Sequence, residues 1–369
     1  MEGILHGLRV VELSAFVAAP LGGATLAALG AEVIRVDPLG GGPDRGRWPL
    51  HEGRSLYWEG LNRGKRSVAI DLRSEPGQRV AARLAASAGT VLTNLPPRGP
   101  LAYEALRAAR PDLVMVAIGG RADGGAAVDY TVNAGVGFPW ITGPEGHDRP
   151  VNHVLPAWDV ATGFLAVAGL LAADRRRLLT GQGGLVRLGL AEVALVVADH
   201  LGLLAEARLV ETPRGRFGNH LYGSFARDFR TRDGRLLIVL ALTPRQWRSL
   251  VEATGLPLDE ISPGLDDEGR RWEHRRAICA LLEPWVAART LVEVGEAFER
   301  RQVLWGPYRT FKELLAEEPA ARRPPATALD LGGPERAPAA GAPRLGADTE
   351  AVLDELGEDV AGLRAAGVL

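Results

Sequence analysis

The first third of the chain alternates short apolar runs with longer amphipathic ones. Residues 8–13, LRVVEL, are rich in branched side chains and read as a strand; residues 21–30, LGGATLAALG, read as a helix, and residues 31–37, AEVIRVD, as a second strand. The pattern repeats in RSVAIDL (66–72), the amphipathic PGQRVAARLAASA (76–88), TVLTNL (90–95) and DLVMVAI (112–118). Repeated β/α alternation predicts a largely parallel sheet covered by helices.

Between the second and third strands, residues 38–67 carry many Gly and Arg and little periodicity, which predicts a long loop of the kind that usually serves function. Residues 160–173 form an uncharged stretch bounded by Asp159 and Asp174; its 14 residues fall short of the roughly 20 that a membrane span needs, so it reads as a core helix. Residues 185–209 follow as a strand and a long apolar helix. Residues 216–242 then change to alternation around Asp233-Gly234, the signature of a hairpin in a second, smaller domain. Residues 320–346, rich in Pro, Ala and Gly, are expected to run extended over the surface.

Composition narrows the function. With 369 residues, the chain is long enough for two domains and a deep site. Its 43 basic and 45 acidic residues nearly cancel, so no overall field draws it to nucleic acid or an anionic membrane. Cys279, the single cysteine, rules out an intrachain disulfide framework and a Cys-based zinc site. An acidic second residue and no basic-then-apolar leader argue against a signal peptide, and a cytoplasmic location is expected. His153 and His220 lack partners at metal-ligand spacing, so no metal is assigned. Asp37 ends the second strand where a ribose-binding acid would sit, yet the turn SAFVAAPLGG has no G-x-G-x-x-G, which speaks against a dinucleotide site.

Several ordered segments together carry a family resemblance. Residues 7–45, 62–77 (NRGKRSVAIDLRSEPG) and 93–97 (TNLPP) resemble the N-terminal third of the family III CoA-transferases, a group that includes formyl-CoA and carnitine CoA-transferases and 2-methylacyl-CoA racemases. Residues 158–190, 218–239 and 341–357 are similar to its central segment, small-domain hairpin and C-terminal tail. The resemblance implies an α/β fold: a Rossmann-like parallel-sheet large domain from 1–200, completed by 300–369, and a smaller α/β domain over 220–300. It also implies an interlocked, ring-like homodimer. Coenzyme A and acyl-CoA are implied as substrates, with a free carboxylic acid as partner and no permanently bound cofactor.

Within that resemblance Asp159 falls on the covalent nucleophile, which would move CoA from an acyl-CoA to a free acid through aspartyl intermediates. From the residues alone Asp159 reads first as a helix cap, a setting that would keep it ionised near neutrality, and the resemblance puts the nucleophile ahead. For CoA, the resemblance points to Phe16 and Val17, to the segment after Lys65 that includes Leu72, and to Asn94. Pro38 stands where some members have a basic residue, leaving Arg45, Arg63, Lys65 or Arg98 as candidates for the phosphates. Asp129 stands where acidic side chains recur in the family, or is a helix N-cap; both remain open. The alternative is a racemase or epimerase, whose family members place a histidine where this chain has Val128 and, in some, a glutamate at Thr243; neither substitute can carry a proton between bases. A repurposed acyl-CoA-binding relative is the other alternative.

Overall fold

Branched residues dominate six strands, and burial follows them. β1 (Arg9–Leu13), β2 (Glu32–Asp37), β3 (Arg66–Ala69), β4 (Thr90–Thr93), β5 (Val114–Gly119) and β6 (Gly184–Gly189) form one parallel sheet in the order β3-β2-β1-β4-β5-β6. Val11 of β1 pairs with Ile34 on one side and Val91 on the other, and all three are fully enclosed. That is expected of a sheet covered on both faces. The strand order runs outward from β1 in both directions, so the topology reverses between β1 and β4. The crevice beyond the carboxyl ends of such a pair is the standard ligand position of open α/β sheets.

This is a computed structural model, and it describes residues 3–212, 214–322, 327–329 and 341–369. Two compact units divide the chain, one formed by Met1–Val136, His153–Glu211 and Pro325–Leu369, the other by Gly137–Asn152 and Thr212–Pro324. The first unit contains α1 (Ala18–Ala28), α2 (Glu75–Ala88), α3 (Asp129–Gly135) and α4 (Ala157–Thr180). α2 begins on the Ser74 hydroxyl, which accepts from the Gly77 amide, and stops at Gly89 with φ 69°. α4 likewise stops at Gly181, φ 71°.

The 24 residues of α4 exceed the uncharged stretch read from the sequence, and by length and composition alone the helix could cross a membrane. One of its faces, through Trp158, Thr162, Gly163, Ala166, Val167 and Leu170, is packed inside the unit, while Phe164, Leu165, Leu178 and Leu179 on the other are exposed. Near the C-terminus the chain returns to the edge strand β3. Ser67 N donates to the Asp348 carboxylate (2.8 Å) and Ala69 N to the Thr349 hydroxyl (3.0 Å), which satisfies the edge amides that a bare sheet would leave open.

The 38–67 segment is a loop only in part. It contains a two-residue ribbon (Leu50–His51 with Arg54–Ser55) and a short helix, Leu56–Leu61, and it is tied to the sheet by buried charge. Arg35 of β2 donates to Asp37 (3.0 Å), Asp44 (2.9 Å), Asn62 (3.0 Å) and the Ser14 carbonyl (3.1 Å). Asp37, engaged in this way and 1% exposed, has no edge left for a ribose.

The second unit carries a three-stranded antiparallel sheet, β9-β8-β7, of β7 (Phe225–Arg230), β8 (Leu236–Ala241) and β9 (Leu304–Pro307). The hairpin turns at Gly234, φ 78°, and Phe225, Trp247, Cys279, Leu282 and Phe298 share its core. The sequence boundaries need correcting here. Residues 300–324 belong to this unit because β9 pairs with β8, Val239 lying opposite Trp305. Residues 137–152 join it too, held by Arg216, which donates to the Trp140 and His147 carbonyls, both at 2.8 Å. Pro319–Arg322 form a helical turn, and much of the expected extended stretch 320–346 lies outside the described residues.

Candidate active site

The turn from β1 into α1 is fixed from three sides. The Asn94 amide clasps Ala15, accepting from its N–H (2.9 Å) and donating to its carbonyl (2.6 Å). Thr93 donates to the Leu13 carbonyl at 2.8 Å, and Arg35 donates to the carbonyl of Ser14. So braced, Phe16 adopts φ 63°, a left-handed conformation costly for a bulky side chain and sustained only where the surroundings over-determine it. Phe16 is 46% exposed, while Val17 beside it is buried.

α4 is drawn against this turn by glycine. A Cβ on Gly163 would sit 2.7 Å from the Ala18 carbonyl oxygen, and one on Gly22 of α1 would sit 3.2 Å from the Gly163 oxygen, so the two backbones meet where no side chain fits. Asp159, one turn before Gly163, lies on the same face of α4. The packing that needs Gly163 therefore carries Asp159 toward the Phe16 turn.

Asp159 is not the cap of its helix. Asp129, at the start of α3, supplies the cap from 30 residues away: its carboxylate accepts from the Trp158 amide at 2.7 Å and the Asp159 amide at 3.0 Å. Trp158 is fixed in turn, its indole N–H donating to the Asn133 side chain at 3.3 Å. Asp129 is thus neither the cap of α3 nor open to CoA, being 3% exposed and turned into α4. Among the described residues no hydrogen-bond donor reaches the Asp159 carboxylate. Burial first and the neighbouring Asp129 charge second push its pKa up to about 6, against the pull of Arg47. The cap that was expected to keep Asp159 ionised near neutrality is supplied by Asp129 instead, so the helix end does not lower its pKa. At pH 7 Asp159 is a mostly ionised, unpaired and half-buried carboxylate, able to attack a carbonyl or take a proton.

The basic candidates separate. Lys65 is buried, with Nζ on Glu12 (2.8 Å), Asn62 (2.9 Å) and the Pro20 carbonyl (2.9 Å), and burial pushes its pKa down to about 8. It braces the sheet and offers no charge to a phosphate, which corrects its assignment to CoA. Arg45 is packed 4.9 Å over the Trp58 ring. Arg98 and Arg63 are exposed, and Leu72 is half-buried against the core that contains Val68 and Val80. Arg47, which sequence reasoning passed over, lies 5.7 Å from the Phe16 ring and 4.7 Å from that of Tyr57. Its only signal in the sequence is membership of the Gly/Arg-rich loop. Thr243 caps the helix Pro244–Thr254 through its hydroxyl and the Gln246 side chain, so it is engaged in structure. His220 belongs to the second unit, where its ring lies 6.5 Å from Trp272 and burial lowers its pKa.

Comparison with known proteins gives this arrangement a family. The profile of CoA-transferase family III matches residues 5–356. The chain is 49% identical to a 2-methylfumaryl-CoA isomerase of Chloroflexus aurantiacus, over 96% of this chain and 94% of that protein. It is 30% identical to a succinyl-CoA–D-citramalate CoA-transferase of the same organism, over 85% of this chain and 80% of that protein. In fold it is similar to the crystal structure of a CAIB/BAIF family protein from Brucella suis, with a TM-score of 0.82, 25% identity and coverage of 96% and 100%. An α/β chain with a six-stranded parallel sheet, a family profile spanning nearly its whole length and two CoA-thioester enzymes among its relatives leads to one conclusion: the chain belongs to CoA-transferase family III.

Proposed function

We propose that the protein is an acyl-CoA isomerase that moves CoA between the two carboxyl groups of a short unsaturated dicarboxylic acid, with Asp159 as covalent carrier. The expectation from sequence put transfer to a separate free acid first. The 49% likeness to an isomerase, against 30% to an intermolecular transferase, favours isomerisation, the class of the racemase or epimerase alternative, over transfer to a separate acid. In a 2-methylfumaryl thioester neither carbon next to a carboxyl is an sp³ centre bearing hydrogen, so inversion at an α-carbon is not open to it. Its two carboxyl groups are inequivalent, and exchanging the thioester between them is an isomerisation. Val128, which carries no proton, fits that chemistry as well as it fits transfer.

The observation that carries the reading is the Asp159 carboxylate, relieved of capping by Asp129 and left without a donor among the described residues. The carboxylate attacks the thioester carbonyl, forming a mixed anhydride and releasing CoA thiolate. The thiolate attacks the aspartyl carbonyl, giving an aspartyl-CoA thioester and the dianion, whose new carboxylate keeps one aspartyl oxygen. The second carboxylate then attacks the aspartyl thioester, and thiolate returns to the acyl carbonyl, leaving Asp159 with one substrate oxygen. CoA is proposed to lie beyond β1 and β4, along Phe16, Val17, Leu72 and Asn94, with exposed Arg63 and Arg98 available to its phosphates.

A second copy of the chain in an interlocked homodimer is proposed as partner, supported by the exposed apolar face of α4 and by exposed Leu195, Val196 and Leu201 on the helix and turn that follow β6. Isomerisation is tested by giving the protein 2-methylfumaryl-CoA together with an excess of ¹³C-labelled 2-methylfumarate, in D₂O, separating the regioisomers by chromatography and reading the isotope content of each by mass. Unlabelled, undeuterated regioisomer is expected. Appearance of ¹³C in the thioester would show intermolecular transfer, and deuterium a proton-transfer isomerase.

A further inference from the structure

Three arginines of the 38–67 loop, Arg45, Arg47 and Arg63, have no carboxylate partner among the described residues; Arg63 is exposed to solvent, and Arg45 lies over the Trp58 ring. Arg35, Arg45, Arg54 and Lys65 in this region are each paired with a carboxylate, stacked on Trp58, or both. Arg47 differs. No carboxylate or carbonyl among the described residues accepts from its guanidinium, which is half-buried between two aromatic faces, Phe16 at 5.7 Å and Tyr57 at 4.7 Å. Such stacking fixes the plane of the fork while leaving its N–H edge unused, and a planar fork without an acceptor is built for a planar anion. One of those faces is Phe16, whose left-handed backbone is imposed by the clasp of Asn94 on Ala15. The costly conformation therefore sets a platform for Arg47. Phe16 lies two residues before Ala18, whose carbonyl meets Gly163 of α4, so Arg47 and Asp159 adjoin the same turn; they make no ion pair among the described residues, and the Arg47 charge favours the ionised Asp159 carboxylate.

We propose that Arg47, held by Phe16 and Tyr57, is the residue that selects acyl-CoAs bearing a second, free carboxylate, by binding that carboxylate while the thioester end lies at Asp159. This rests on the proposed isomerase. As CoA migrates, the two carboxyl groups exchange roles, and Arg47 holds whichever one is not at Asp159. Retaining the diacid through the aspartyl-CoA stage is what keeps the transfer within one molecule.

The test measures binding, so that it does not depend on turnover. In the full-length Asp159→Asn protein, dissociation constants are measured for 2-methylfumaryl-CoA and for (E)-2-methylcrotonyl-CoA, which carries a methyl in place of the free carboxylate. The diacid thioester is expected to bind at least tenfold more tightly. Adding Arg47→Met should reduce that preference by roughly tenfold to a hundredfold, the usual loss for a charged hydrogen-bonded pair, with (E)-2-methylcrotonyl-CoA affinity little changed. Arg47→Lys should restore part of it. The proposal is overturned if Asp159→Asn shows no preference, if the preference survives Arg47→Met, or if both thioesters weaken equally, since the last would place Arg47 on the CoA phosphates. Failure of the isomerase reading shows separately, as absence of regioisomer with the wild-type protein.

Discussion

At the scale of single residues, the division of labour between Asp129 and Asp159 has consequences in pH. Asp159 must be ionised to attack, so kcat/KM should fall as pH drops through about 6. Asp129→Asn keeps an oxygen for the two amides and removes the charge that raises its neighbour. The acid limb of its pH profile should therefore move lower, by about one unit at most, with activity at pH 8 largely kept. An unmoved limb would mean that Asp129 does not tune Asp159. Stability carries the same sign: the folded chain holds the Asp159 proton more tightly than the unfolded chain, so ionisation costs stability above about pH 6, and the cost disappears below the usual carboxylate value of 3.8. Asp159→Asn should accordingly melt at or above the wild-type temperature at pH 7 and lose that advantage near pH 4, while activity falls by several orders of magnitude. Thermal scans across pH, paired with the activity assay, check both.

Elements show how much the sequence can tell. The sheet strands were legible because branched runs at regular spacing have few other uses, and α4 because apolar residues continue past three turns. The cap of α4 was not legible: a helix normally recruits its cap from adjacent sequence, and here the donor amides of 158 and 159 are satisfied by residue 129. The order in the 38–67 loop was equally hidden, since it rests on a buried network around Arg35 and Lys65 rather than on periodicity. Lys65→Met should cost about 3–5 kcal/mol, as loss of one buried partner usually does, while CoA-thioester affinity of the folded protein changes little; a selective loss of affinity would return Lys65 to the ligand. Gly163→Ala forces a methyl against the Ala18 carbonyl and should cost about 1–3 kcal/mol in a denaturant titration. Because the same contact sets the position of Asp159, kcat should fall as well.

For the whole molecule, family membership was readable from motifs spread along the chain, whereas the choice among the family's reactions was not. Val128 and Thr243 argued against a two-base racemase without distinguishing transfer between molecules from transfer within one, because Asp159 serves both. On the proposed reading that choice depends on what holds the acid after CoA departs, a matter of loop geometry that no spacing of residues encodes. The domain limits shifted for a related reason: β9 is a short strand, and only its pairing with β8 assigns residues 300–324 to the second unit. The central claim, that CoA passes through Asp159, is tested most directly by oxygen tracing. In each turnover the mechanism leaves one substrate carboxylate oxygen on the aspartate. With 2-methylfumaryl-CoA labelled by ¹⁸O in its free carboxylate, the peptide containing Asp159 should gain 2 Da, and up to 4 Da as turnover repeats, while peptides containing Asp129 stay unlabelled. Regioisomer formed over many turnovers with an unlabelled Asp159 peptide would contradict the account.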